Sequence, residues 1–234
     1  MAMKLNKYDI LCSERILGLY FLLTFASSIP PVFIFYREAI SNPHFILNAN
    51  PSYGVPWGAL FELILIFANI TTSLTLYPIL KNRFPVASLG FVACRLVECG
   101  FIAVGIVALL ALDTLRAGVK GIDPVTLIVV GQALVAIHDW TFRLGPGVVV
   151  GLGNGLILGM MMWGSRLIPR YISVFGIVGG PILTFAGVLV MFDQIQPGAS
   201  IQAICTIPEF LWELSLGVWL FLKGSSVTTN APGG

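Results

Sequence analysis

Five stretches of this 234-residue chain, 15–36, 57–80, 86–112, 172–192 and 201–222, each run for about 20 residues or more with little charge. That is the length an α-helix needs to cross a hydrocarbon core about 30 Å thick. Composition leaves no soluble alternative: 57% of residues are hydrophobic and 10% are charged, against roughly 45–50% and about 25% in a water-soluble domain. The expected fold class is all-α, a polytopic transmembrane helix bundle that makes residues 1–234 a single membrane domain surrounded by membrane lipids. The breaks between runs fit that reading, with Pro43, Pro51 and Pro56 after the first, Pro78 and Pro85 around the second and Pro197-Gly198 before the last. A disordered tail is expected from about 224 to 234.

The stretch from Val125 to Trp163 is ambiguous, being long for one span and short for two. Two spans with a turn at Leu144–Gly147 would give seven helices. One span over 140–163, preceded by a half-buried helical segment around 125–139, gives six. Lys and Arg favour cytoplasmic loops. With six spans Lys4, Lys7, Arg15, Lys81, Arg83, Arg166, Arg170 and Lys223 share one side, opposite Arg37, Arg116 and Lys120. With seven the two sides carry equal numbers. Six spans with both termini cytoplasmic, in a bacterial inner membrane, is therefore the expectation, although hydropathy alone favours seven. Lys4, Lys7 and Arg15 before Ile16–Tyr36 could introduce a signal peptide, but the run is long for one and reads as the first span.

A net charge of +2 with scattered Lys and Arg gives no basic patch of the kind that tracks nucleic acid. Cys12, Cys94, Cys99 and Cys205 lie in or beside apolar runs without a CxxC pair, so neither a disulfide framework nor a cysteine zinc site is indicated. No phosphate loop, haem, metal or other cofactor motif stands out. Gly151-Leu152-Gly153-Asn154-Gly155 lacks a preceding strand and a following Lys-Ser/Thr. Its Gly151-x-x-x-Gly155 spacing suits close helix packing instead.

Ionisable residues inside spans are costly and face the bundle interior. Glu62, Arg95, Glu98, Asn154, Glu209 and Glu213 are of this kind, with His138, Asp139 and Arg143 at an edge. At 1.5 Å rise per residue, Arg95, Glu98, Asn154, Glu209 and Glu213 fall about 14–20 Å deep from the cytoplasmic end. Glu62 falls about 27 Å up, and Arg143, Asp139 and His138 about 31–39 Å up. A polar column from the midplane to the outer face results. Arg95 and Glu98 share one helix face, as do Glu209 and Glu213. The last span must turn its acids inward, where Arg95 and Arg143 are the available counter-ions. Two arginines among five acids imply a protonated carboxyl group or a bound cation.

The chain resembles the bacterial membrane family described as domain of unknown function 4386. The resemblance rests on Arg15-Ile16-Leu17-Gly18, Leu76-Tyr77-Pro78, Arg95-Leu96-Val97-Glu98, His138-Asp139-Trp140, Leu144-Gly145-Pro146-Gly147 and Ser165-Arg166-Leu167-Ile168-Pro169-Arg170. It implies a multi-span integral membrane protein and carries no activity.

Three functions compete. In the first, the polar column binds or acts on a small apolar, lipid-like or isoprenoid ligand. Glu98, Glu209 or Glu213 would be the catalytic acid or base, and Arg95, Glu62, His138, Asp139, Arg143, Asn154 and Trp212 the binding residues. Phe61, Phe91, Phe101, Trp140, Phe210, Trp212 and Trp219 are aromatic candidates for its wall. In the second, the same acids serve a proton- or cation-coupled transporter, though no inverted repeat is visible. In the third, the polar layer fixes packing in a structural or accessory subunit, with Arg95 paired to Glu98, Arg143 paired to Asp139, and His138-Asp139-Trp140 as an interfacial anchor.

Overall fold

A computed structural model describes residues 7–48, 53–118 and 121–224, with side chains from Glu14 onward. The tail from 225 lies outside the described residues. Among the described residues, six helices are long and apolar enough to cross a membrane: 14–35, 54–80, 85–118, 124–165, 170–191 and 200–223. The first consists of α1 (Lys7–Pro30) and a π-helical turn, Pro31–Phe35, and is followed by the short α2 (Arg37–Ser41). Helices α3 (Gly54–Leu80) and α4 (Pro85–Gly118) are the second and third spans. The fourth joins α5 (Pro124–Leu144), π segments Gly145–Val149 and Gly151–Leu158, and α6 (Gly159–Ser165). The last two are α7 (Arg170–Met191) and α8 (Ser200–Lys223).

The ambiguous stretch thus contains no turn. Residues 124–165 form one helical run of 42 residues, and the segment before 140 continues into the fourth span without a break. It stays largely exposed, with Gly131 and His138 its buried residues before 140. At Gly145-Pro146-Gly147 the helix widens instead of turning. Proline lacks an N–H and its ring crowds the carbonyl four residues back, and a π-turn is one way to absorb that clash. Pro30-Pro31 does the same at the end of α1.

The fourth span runs antiparallel to α4. Gly105 lies against His138 and Thr141, Gly145 against Phe101, and Gly153 against Cys94. Both elements outlast the bilayer, since the 34 residues of α4 extend about 51 Å. Their overhang supports a small second core, where Leu109 and Leu112 pack with Tyr36, Phe45, Ile46 and Val55. Arg116 closes this cap. It pairs with Asp113 at 2.7 Å, donates to the Asn48 carbonyl at 2.9 Å and stacks over Phe45.

The main core lies at the opposite end, where α1 begins and α8 ends. Leu17, Phe21, Leu76, Met162, Trp212 and Leu216 are among its fully buried side chains. Between 28% and 50% of each span's most apolar window is buried inside the protein, and the remaining apolar surface faces lipid. Without a hydrophobic drive between helices, close approach must come from small residues. Gly18 supplies it between α1 and α8, where a Cβ would lie 2.8 Å from the Gly217 carbonyl oxygen. Gly151, Gly155 and Gly159 supply it between the fourth span and α7, meeting Gly180 and Ile177. The glycine spacing in the sequence therefore serves packing.

Gly18→Leu is expected to destabilise the bundle by about 1–3 kcal/mol, the range for forcing extra methylenes into a packed site. Gly100→Leu adds its side chain where nothing lies within 4 Å and serves as the control. Thermal unfolding in detergent should lower the midpoint for the first variant and leave the second near wild type.

Candidate functional site

Helices α3, α4 and α8 and the π segment 151–158 each bring one or two polar side chains to a common level. Arg95 is the hub, with its side chain 3% exposed. Its Nη1 donates to Glu98 Oε2 at 2.8 Å and to Asn69 Oδ1 at 3.3 Å. Its Nη2 donates to Asn154 Oδ1 at 2.6 Å and to Glu213 Oε1 at 3.4 Å. Each asparagine also uses its amide nitrogen: Asn69 donates to Glu98 Oε1 at 2.9 Å, and Asn154 donates to Glu213 Oε1. The Phe91 ring lies 5.6 Å from the guanidinium carbon. A cation in a low-dielectric interior needs such a shell, because each unpaired charge there is expensive.

Local structure explains the aim of these groups. Arg95 and Glu98 sit three residues apart on α4 and so share a face. Asn154 lies within the π segment, and its carbonyl accepts the Trp212 indole N–H at 2.9 Å. Trp212 is fully buried, so it fixes the backbone bearing Asn154 and does not line the cavity described below. Gly176 leaves room for its ring.

Glu209, one turn before Glu213 on α8, stands apart. It is 3% exposed, and neither carboxylate oxygen has a hydrogen-bond partner among the described residues. A Cβ on Gly155 would overlap its carboxylate, and one on Gly179 would lie 2.7 Å from its backbone nitrogen. Glycines of the fourth span and α7 therefore make the space this acid occupies.

A second polar group lies two turns away. Glu62 precedes Asn69 by seven residues on α3, about 10 Å along the axis. Its Oε2 accepts the Tyr36 hydroxyl at 2.8 Å. The Tyr36 ring meets His138 edge-on with centroids 5.4 Å apart. His138 Nδ1 has no hydrogen bond, its nearest charged neighbour being Asp139 at 3.6 Å.

A cavity of about 770 Å³ joins the two groups. Arg95, Glu98, Asn69, Glu209 and Glu213 line its floor, and Glu62, His138, Thr141 and Arg143 its far end. Leu65, Ile102, Val150 and Leu183 make the apolar wall between them. The cavity opens between α1 and α8. These helices pack closely from Gly18 to the edge-to-face pair of Phe25 and Phe210, 5.2 Å apart. Beyond that pair each turns residues toward the cavity: Ser28 and Val32 from the first span, Ala203 and Thr206 from α8. Ile29, Phe33 and Ile207 line it and yet are 44%, 70% and 51% exposed. Its mouth therefore opens sideways, toward the apolar surface of the bundle.

Of the residues singled out in the sequence, Arg95, Glu98, Asn154 and Glu213 meet in one network, with Glu209 beside it. Glu62 and His138 meet through Tyr36. Arg143 does not reach the acids of the last span, since it lies eleven residues before Asn154. It pairs with Asp139 at 3.7 Å and lies over Trp140, 5.1 Å from the ring. Asp139 and Trp140 stand off the cavity wall, and Trp140 is 39% exposed, as an interfacial side chain would be. Of the aromatic wall candidates, Phe210 lines the cavity; the other six do not. Sequence reasoning missed Asn69 and Tyr36. Asn69 carried a usable signal, a polar group inside a span two turns from Glu62. Tyr36 carried none, because a tyrosine at a span end reads as an interfacial anchor.

No curated protein and no solved structure matches the chain. Residues 16–224 match the family described as "Domain of unknown function (DUF4386)", and the chain belongs to that family.

Proposed function

We propose that this membrane protein binds a small amphiphilic, lipid-like molecule in the cavity between α1, α3, α4, α5 and α8. The observation that carries this reading is one cavity with a sideways mouth, an apolar wall and a polar floor. A volume of about 770 Å³ lies within the range of small-molecule pockets, which are mostly apolar with a few converging polar groups. The mouth between Phe33 and Ile207 suits a ligand that arrives from the bilayer, with its polar end seeking the floor. Glu98 accepts from Arg95 and Asn69 through both oxygens, which suits anchoring the hub. Glu213 and Glu209 are then the acids placed to meet a ligand or to exchange a proton with it.

A photoactivatable octyl diazirine alcohol should label wild-type protein in lipid nanodiscs at Phe25, Thr206 or Phe210. Ala203→Trp, which fills the mouth, is expected to cut that labelling at least fivefold. Labelling confined to the outer faces of the helices and indifferent to Ala203→Trp would remove the reading.

The orientation follows from charge. Arg15, Lys81, Arg83, Arg166, Arg170 and Lys223 lie toward the end of the bundle where α1 begins and α8 ends, and that end is assigned to the cytoplasm of a bacterial inner membrane. The cavity mouth then lies in the outer leaflet. A fluorescent-protein fusion at the C-terminus should be bright and an alkaline phosphatase fusion there inactive. Fusions after Asn42 should show the reverse.

A further inference from the structure

We infer that the ligand's polar end is a protonated amine, held at Glu213 with Glu209 beside it. This inference rests on the cavity being a ligand site and adds the chemistry of the ligand. It comes from counting which hydrogen-bonding groups of the floor are already taken. Both Nη atoms of Arg95 donate to Glu98, Asn69, Asn154 and Glu213, and its Nε is sealed from contact. Asn69 and Asn154 each spend their carbonyl on Arg95 and their amide nitrogen on a carboxylate. Trp212 gives its indole N–H to the Asn154 backbone carbonyl. The guanidinium and indole donors of the floor are thus committed, leaving one further amide N–H on each asparagine, and the other unspent groups are acceptors.

Those acceptors lie one helical turn apart on α8. Glu213 takes both of its hydrogen bonds through Oε1, and its side chain, 19% exposed, is more open than those of Arg95 and Glu98, at 3% and 6%. Glu209 lines the cavity beside it, its two buried oxygens without a hydrogen bond among the described residues, and adds a second carboxyl group next to the open oxygen of Glu213. Charge points the same way, because among the described residues Arg95 is the one cationic side chain of the floor against Glu98, Glu209 and Glu213. Arg143, at the far end, is beside Asp139. A phosphate or carboxylate head would find no free cationic donor among the described floor residues and three nearby acids, a repulsion that rejects it. An ammonium group brings three donors and a positive charge to the unspent acceptors, and charge-assisted hydrogen bonds of this kind are the strong ones. The apolar wall leaves room for an alkyl chain.

Competition against the octyl diazirine alcohol in zwitterionic nanodiscs separates these chemistries, using octylamine, 1-octanol, octanoate and octyl phosphate. Octylamine should displace the cavity label at a concentration at least tenfold below that of 1-octanol, with both anions weaker than the alcohol. In the Glu209→Gln, Glu213→Gln double variant the amine should lose its advantage over 1-octanol, and labelling of the cavity by the probe in that variant reports that the cavity is intact. Each single variant should lie between. Octanoate or octyl phosphate competing as well as octylamine would overturn the inference, as would an amine advantage that survives in the double variant. Cavity labelling that none of the four displaces would overturn the amine and leave the cavity reading standing. Failure of the probe to label the cavity would remove both.

Discussion

The Arg95 guanidinium is the group on which the arrangement of the other helices depends. An arginine at the centre of a membrane helix costs about 2.5–3.5 kcal/mol on insertion scales, so its surroundings must supply oxygen ligands. They come from α3, from α4 itself, from the fourth span and from α8. Lateral attraction between apolar helices in lipid is weak and poorly directional. A hub contacted by three further helices supplies the missing direction, fixing the rotation of each helix as well as its proximity. Asn154 illustrates the coupling. Its side chain reaches Arg95 and Glu213 while its carbonyl is held by Trp212, so rotating α8 or the π segment would break several bonds together.

Glycine makes that convergence geometrically possible. The fourth span meets α7 along Gly151, Gly155 and Gly159, with Gly176 and Gly180 on the other side. Their backbones approach closely enough that α8 can bring Trp212 and Glu209 against the same seam. The π segments set the rotation of this span. A π-turn carries an extra residue relative to an α-turn, so two successive segments turn Asn154 relative to His138 and Thr141 on the same helix. The proline and glycines at 145–147 start that change in pitch, which periodicity analysis based on 3.6 residues per turn cannot anticipate.

That limit explains what could be read in the chain beforehand. Apolar runs set the five clear spans, and the distribution of Lys and Arg favoured six over seven, because both are local properties of the sequence. Depth arithmetic placed Arg95, Glu98, Asn154, Glu209 and Glu213 at one level, because α-helical rise is nearly constant. Arg95 and Glu98 could be paired from their spacing, but which groups touch across helices was not readable, since that depends on helix rotation and on glycine seams between elements distant in sequence. Arg143 had two readings, a counter-ion for the last span or a partner of Asp139 one turn away on its own helix, and the structure shows the second. The overhang of α4 and α5 was missed as well, because a cap held by Leu109, Leu112 and Arg116 reads in hydropathy as the tail of a membrane run.

The same hub also accounts for the chemical bias of the cavity. Burying one arginine required several acceptors, and acids are the strongest available. Each helix that supplied one had no reason to supply a cationic donor, and each asparagine spends an amide N–H on a neighbouring carboxylate. Satisfying a single buried cation thus leaves an excess of acceptors at the floor, most exposed at Glu213 and least satisfied at Glu209. The apolar wall above it came from membrane helices that diverge beyond Phe25 and Phe210. An acceptor-rich floor beneath an apolar passage open to lipid is therefore a direct consequence of how this bundle stabilises Arg95.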